Sequence, residues 1–185
     1  MNLKLERMYY SGKSRPTDGT GFGGLFQQGF YINYLHGLDF LCRKHVTKAT
    51  RVLELGCFYG ASSELFREYS DDVTCIDIEL FSEMDLLLKR TKIKFHKESS
   101  LVFLPNALVG EYDLIYIDTS HDFGQTKKEI ELAYSKTNIG QIISGHDYNS
   151  PGVHNAILDV FDNPDIEIYL DSSWAIKKTD TLKLR

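Results

Sequence analysis

The chain has 185 residues, 42% of them hydrophobic, 25% charged and 12% aromatic, with only 4 prolines and 14 glycines. That content supports one domain with a substantial core and excludes intrinsic disorder, collagen-like repeats and a disulfide-framework scaffold. A balance of 21 basic against 26 acidic residues leaves a net charge of −5, which argues against a long polyanion such as nucleic acid as partner.

No run approaches the ~18 consecutive apolar residues that a membrane span needs. The opening segment Met1 to Arg7 lacks the apolar stretch of a signal peptide, so a cytoplasmic location is expected. Cys42, Cys57 and Cys75 are odd in number and show no C-x-x-C spacing. They read as reduced thiols and suggest no zinc site.

In chain order, residues 11–24 are loop-like and contain Gly19, Gly21, Gly23 and Gly24. Leu25 to His45 is an amphipathic helical stretch carrying Phe26, Phe30, Tyr34, Leu38 and Leu41. Residues 1–48 are therefore expected as an N-terminal lid or helical extension, too short for its own core. It would pack on a domain formed by 49–185 or contribute to a homodimer.

From Arg51 onward, strand and helix patterns alternate. Arg51-Val52-Leu53-Glu54-Leu55 is an apolar run stopped by Gly56, and Ala61 to Tyr69 follows at helical spacing. Val73 to Asp77 is a second strand, Ser82 to Arg90 a helix, and Lys92 to His96 a period-two strand whose lysines suit a sheet edge. Tyr112 to Asp118 and Gln141 to Gly145 are the next strands, separated by a helix whose Thr126, Ile130, Ala133 and Tyr134 share a face. Ser150-Pro151 offers an N-cap and a first-turn proline for a helix bearing Val153, Ile157, Val160 and Phe161. Glu167 to Leu170 and Trp174 to Lys177 form a final hairpin around Asp171-Ser172-Ser173. Single helices between strands imply right-handed crossovers, hence an α/β fold with a mainly parallel sheet covered on both faces and one antiparallel strand.

In such sheets, ligands bind outside the carboxyl ends of the strands. The first strand-to-helix turn, Gly56-Cys57-Phe58-Tyr59-Gly60, offers a tight turn and helix N–H groups for an anionic group. Asp77, ending the second strand, is placed to accept the protons of a ribose diol. The bulk of Cys57, Phe58 and Tyr59 crowds the space that a dinucleotide pyrophosphate occupies, which favours a smaller anion and disfavours NAD. Asp118-Thr119-Ser120-His121 and His146-Asp147 end two strands. If those strands are neighbours, ~4.8 Å apart, Asp118 and Asp147 can converge on one Mg²⁺ or Mn²⁺, with His146 as a third ligand. His121 is placed as a general base, its ordinary pKa of ~6.5 suiting proton removal near neutrality.

The runs Glu54-x-Gly56-x-x-x-Gly60-Ala61-Ser62, Tyr112 to Asp118 with His121, and Gly145-His146-Asp147-Tyr148 resemble class I S-adenosylmethionine-dependent methyltransferases. Within that superfamily the chain is similar to a small bacterial group with I-D-x-x-H and G-H-D-Y motifs. That group is related to macrocin-type and, more distantly, catechol-type O-methyltransferases. The resemblance implies a Rossmann-like seven-stranded sheet of order 3-2-1-4-5-7-6 with strand 7 antiparallel. It implies Glu54, Gly56 and Gly60 around the methionine part of the cofactor, Asp77 on the ribose, Ser99 near the adenine and Asp118 beside the reacting methyl or a metal. Thr119-Ser120 and Tyr148 depart from the family's usual residues.

The expected activity is methylation of a small hydroxylated metabolite such as a sugar by S-adenosylmethionine, with His121 and Asp118 catalytic. Metal assistance through Asp118, His146 and Asp147 is an added expectation. A non-catalytic S-adenosylmethionine-binding protein and a metal-dependent hydrolase using Asp118, His121, His146 and Asp147 stay open as alternatives.

Overall fold

The computed structural model describes residues 31–185, with side chains from Leu35 onward. The expectations for residues 11–30, Phe26 and Phe30 included, and for the Tyr34 side chain lie outside the described residues. Helix α1 (Tyr31–His45) leads into β1 (Arg51–Leu55), α2 (Ala61–Tyr69), β2 (Asp72–Asp77), α3 (Ser82–Arg90) and β3 (Lys94–Lys97). There follow α4 (Ser100–Asn106), β4 (Leu114–Ile117), α5 (Phe123–Lys136), β5 (Ile142–Gly145), α6 (Pro151–Val160), β6 (Glu167–Ile168) and β7 (Trp174–Lys177).

The seven strands form one sheet in the order β3-β2-β1-β4-β5-β7-β6. Neighbours from β3 to β5 are parallel, and β7 runs antiparallel to β5 and β6. The architecture is the expected one, with the lysine-bearing β3 at an edge. The central strands are buried on both faces, and their alternation sorts side chains between two cores. Val52, Leu114 and Tyr116 face the layer of α1, α2 and α3, where Leu38, Leu41, Phe66 and Met84 pack. Leu53, Leu55, Ile115 and Ile117 face α4, α5 and α6, meeting Leu104, Ile130 and Ile157.

One helix was not legible in the sequence. The stretch Ser100-Leu101-Val102-Phe103-Leu104-Pro105-Asn106 forms α4 although it contains Pro105. The proline sits in the last turn, and Ser99 caps the start by accepting a hydrogen bond from the Leu101 N–H. The Ser150 N-cap position exists ahead of α6, but its side chain makes no capping bond. Pro151 there removes one N–H that would otherwise need a partner.

The described part of the N-terminal segment is an integral wall of the domain. Leu35, Leu38, Leu41 and Cys42 belong to the same core cluster as Val52 and Leu65. The buried Asp171 carboxylate, in the β6–β7 turn, accepts hydrogen bonds from the Leu38 N–H at 2.8 Å and the Ser173 N–H at 2.9 Å. At the far end of α1, Lys44 and His45 both reach Glu167, each at 2.8 Å. Among the described residues, no helix is long and apolar enough to cross a membrane.

The approach of Asp171 to α1 depends on Gly37, where an added Cβ would stand 2.0 Å from Asp171 Oδ1 and 2.7 Å from Tyr169 Cβ. Gly37→Ala is therefore expected to destabilise the fold by about 1–3 kcal/mol, the usual cost of overpacking. Urea denaturation followed by circular dichroism measures it, and an unchanged midpoint would show that α1 is not held by this contact.

Candidate active site

A cavity of about 800 Å³ opens over the carboxyl ends of the parallel strands. It extends from Glu98, Ser99 and Ser100 beyond β3, past Asp77 and Asp118, to His146 and Asp147 after β5. Leu35 and Leu38 of α1 contribute to its wall.

The first turn owes its shape to what surrounds it. Gly56 has φ +83°, and a Cβ there would lie 2.0 Å from the Asp118 carbonyl oxygen. The glycine thus lets the β1 turn pass directly against the chain leaving β4. Gly60, with φ +85°, begins α2, and its missing side chain makes room for Met84 and Leu87 of α3. Like Glu54, it is not among the residues that line the cavity. Between the glycines, Phe58 has φ +46°, a strained conformation for an aromatic residue. Its N–H donates to Asp77 Oδ2 at 2.9 Å, and the Glu79 N–H donates to Asp77 Oδ1 at 3.1 Å. Both bonds fix the Asp77 carboxylate while leaving further lone-pair positions for ribose hydroxyls. Phe58, Tyr59 and Phe81 pack against one another beside it, with ring centroids 3.8–5.0 Å apart.

Glu54 lies beneath the turn and off the cavity wall. It is fully buried on β1 and accepts hydrogen bonds from Ser62, Ser63 and, at 3.2 Å, the Cys75 thiol. Burial pushes its pKa from 4.5 up to about 7, against the pull of the two hydroxyls and the thiol, with the Asp118 charge adding to the rise. It therefore braces α2 against β1 and β2.

Asp118 and Asp147 do converge. His121 Nε2 lies 3.0 Å from Asp118 Oδ1 and 3.0 Å from Asp147 Oδ2, so one imidazole nitrogen stands between two carboxylates. Both His121 and Asp147 take φ +56°, in the left-handed region that non-glycine residues adopt infrequently. The Asp118 hydrogen bond raises the His121 pKa against the opposing effect of burial, and the Asp147 charge adds to the rise. The ligand atoms of Asp118, His121 and Asp147 all lie within 4.8 Å of one another. That oxygen-and-imidazole set fits a small divalent cation. His146 follows the last residue of β5, is buried against the cavity, and places Nδ1 3.4 Å from Asp147 Oδ1. The mutually close set is thus Asp118, His121 and Asp147, with His146 beside Asp147. The His146 bond lowers the Asp147 pKa against burial.

Ser99 lies on the cavity wall, and its hydroxyl is engaged in capping α4. Thr119, beside Asp118, is tied to the helix layer. Its hydroxyl donates to the buried carboxylate of Glu129 at 2.7 Å, which also receives Ser100 and, at 3.0 Å, Gln125. Glu129 and Asp171 escape a sequence reading because each is one acid among many until folding buries it.

The family described as Methyltransferase domain matches residues 53–148. Solved structures share the fold at low identity. CalS11, a TDP-rhamnose 3'-O-methyltransferase of calicheamicin biosynthesis, superposes with TM-score 0.63 at 14% identity, over 96% of this chain and 93% of that one. An rRNA methylase from Streptococcus thermophilus gives 0.59 at 11%, covering 80% and 97%. The N-methyltransferase NodS from Bradyrhizobium japonicum WM9, in complex with S-adenosyl-L-homocysteine, gives 0.51 at 17%, covering 95% of each chain. A search of curated protein sequences returns no match.

The raised pKa of Glu54 fixes the sign of a pH effect on stability. The folded state holds its proton up to about pH 7, whereas the unfolded chain releases it near 4.5. The proton-linked stability is complete below about pH 4.5 and is lost as pH rises through 7, a change of about 3 kcal/mol. Comparing wild type with Glu54→Gln by urea denaturation at pH 5 and pH 8 isolates this contribution. The variant should lose that share of the decline, and identical slopes would refute it.

Proposed function

Because the chain belongs to the methyltransferase-domain family, we propose that it transfers a methyl group from S-adenosylmethionine to a hydroxyl oxygen of a small metabolite such as a sugar. The carrying observation is His121 set between Asp118 and Asp147 at the carboxyl ends of adjacent strands, inside a cavity reaching to Asp77. Its volume of about 800 Å³ is near the upper end of the roughly 300–1,000 Å³ of small-molecule sites, room for cofactor and a compact acceptor together.

When bound, the cofactor supplies an activated sulfonium methyl. The protein then has to hold the acceptor oxygen in line with that methyl and remove a proton, largely a matter of proximity and orientation. Asp77 would take the ribose hydroxyls, with Gly56 and Ser99 on the same wall. His121 would accept the acceptor's proton, and Asp118 would hold the imidazole and stabilise its charged form. Leu35 and Leu38 would exclude water on the α1 side. The proximity of the Asp118, His121 and Asp147 ligand atoms favours a second reading, in which the three hold Mg²⁺ or Mn²⁺. The ion would orient the acceptor and lower its pKa as a Lewis acid.

S-Adenosylhomocysteine at 100 times its Kd should stabilise the protein by about 2.7 kcal/mol in a thermal-shift assay. Asp77→Ala should remove that shift. No shift in wild type would end the methyltransferase reading. With methyl-labelled cofactor and a panel of hydroxylated acceptors, His121→Ala should keep the shift yet lose roughly 10²–10⁴-fold in turnover. Undiminished turnover in EDTA assigns His121 to the proton, whereas loss restored by Mg²⁺ or Mn²⁺ assigns it to the cation.

A further inference from the structure

We infer that Glu129 is a positioning residue for the cofactor end of the cavity: its buried carboxylate fixes Ser100, Thr119 and Gln125, three side chains of the cavity wall. The inference rests on the proposed use of that cavity for an adenosyl cofactor. Glu129 lies on the α5 face turned toward the sheet, with 0% of its surface exposed. Oε1 receives Ser100 Oγ and, at 3.0 Å, Gln125 Nε2, while Oε2 receives Thr119 Oγ1 at 2.7 Å. All three donors border the cavity.

These partners come from separate parts of the chain. Ser100 opens α4, directly after Glu98 and Ser99. Thr119 follows Asp118 and stands two residues before His121. Gln125 lies one turn earlier on α5. One carboxylate thus joins the loop leaving β3 to the loop leaving β4, the two segments between which the adenosyl group would lie. A buried carboxylate gains its stability only from the donors around it, so they in turn are held in one arrangement. Were Glu129 absent, the Ser100 and Thr119 hydroxyls would lose that partner, and the segment carrying Asp118 and His121 would lose an anchor one residue from the reacting site.

The test is calorimetric titration of the full-length protein with S-adenosylhomocysteine, alongside thermal unfolding. Glu129→Gln keeps the size and removes the charge, so hydroxyl donors meet a poorer acceptor. Glu129→Asp keeps the charge and shortens the reach. Both should weaken S-adenosylhomocysteine binding by about tenfold or more, because the Gln variant offers the hydroxyls a poorer acceptor and the Asp variant no longer reaches them. Asp113→Asn is the control, since Asp113 pairs with Arg51 at the opposite end of the strands. It should lower the unfolding temperature without changing the affinity. Thr119→Val removes a single donor and should weaken binding in the same direction, which keeps the test decisive if a Glu129 variant fails to fold. Adding Thr119→Val to Glu129→Gln should cost little more than either alone. Affinity unchanged within twofold in these variants, with stability alone reduced, overturns the inference. Absence of binding by wild type overturns the cofactor assignment instead.

Discussion

The site depends on one close approach, that of the Gly56 backbone to the chain emerging from β4. Gly56 N donates to Ile76 O on one side, and Asp118 N donates to Leu55 O on the other. Further along the sheet, His146 N donates to Ile117 O. The ladder therefore continues past the formal strand ends, and the residues that leave β1, β4 and β5 do so side by side. Parallel strands lie ~4.8 Å apart, which brings side chains from three crossovers within reach of one another. A Cβ at Gly56 would meet Asp118 backbone at 2.0 Å, and backbone on that side is pinned by the same ladder.

Strain collects where the ladder ends. Phe58, His121 and Asp147 all adopt positive φ, and all three border the cavity. Such conformations persist only where surrounding contacts over-determine them. Those contacts are present: Asp77 holds the Phe58 N–H, His121 is paired on both sides, and the His121 carbonyl packs against α6 where Gly152 leaves room.

Two buried carboxylates brace the two faces of the sheet. Glu54 serves the α1–α3 side through Ser62, Ser63 and Cys75, and Glu129 serves the α4–α6 side through Ser100, Thr119 and Gln125. Each draws on hydroxyl, thiol or amide donors. A buried acid so arranged is costly unless its donors stay in place. In return it fixes the geometry of every element it touches, and those elements carry the walls of the cavity.

The sequence by itself determined the order of strands and of every described helix except α4, the parallel sheet with its terminal hairpin, and the glycine and acid positions at the strand ends. These are local properties, written in runs such as Arg51 to Leu55 and in the spacing of Thr126, Ile130 and Ala133. The pairing of Asp118 with Asp147 could also be anticipated, because adjacent strands deliver their ends together. Only the tertiary structure decided the rest. It gave the buried Glu54 its partners, Ser62 and Ser63 from α2 and Cys75 from β2. It placed His121 between the two carboxylates, in loops whose positive φ at His121 and Asp147 is invisible in sequence. It made Asp171 a partner of Leu38 from 133 residues away and Glu129 a partner of two separate loops. Such contacts join residues with no local signature, and their meeting is fixed by how the layers pack.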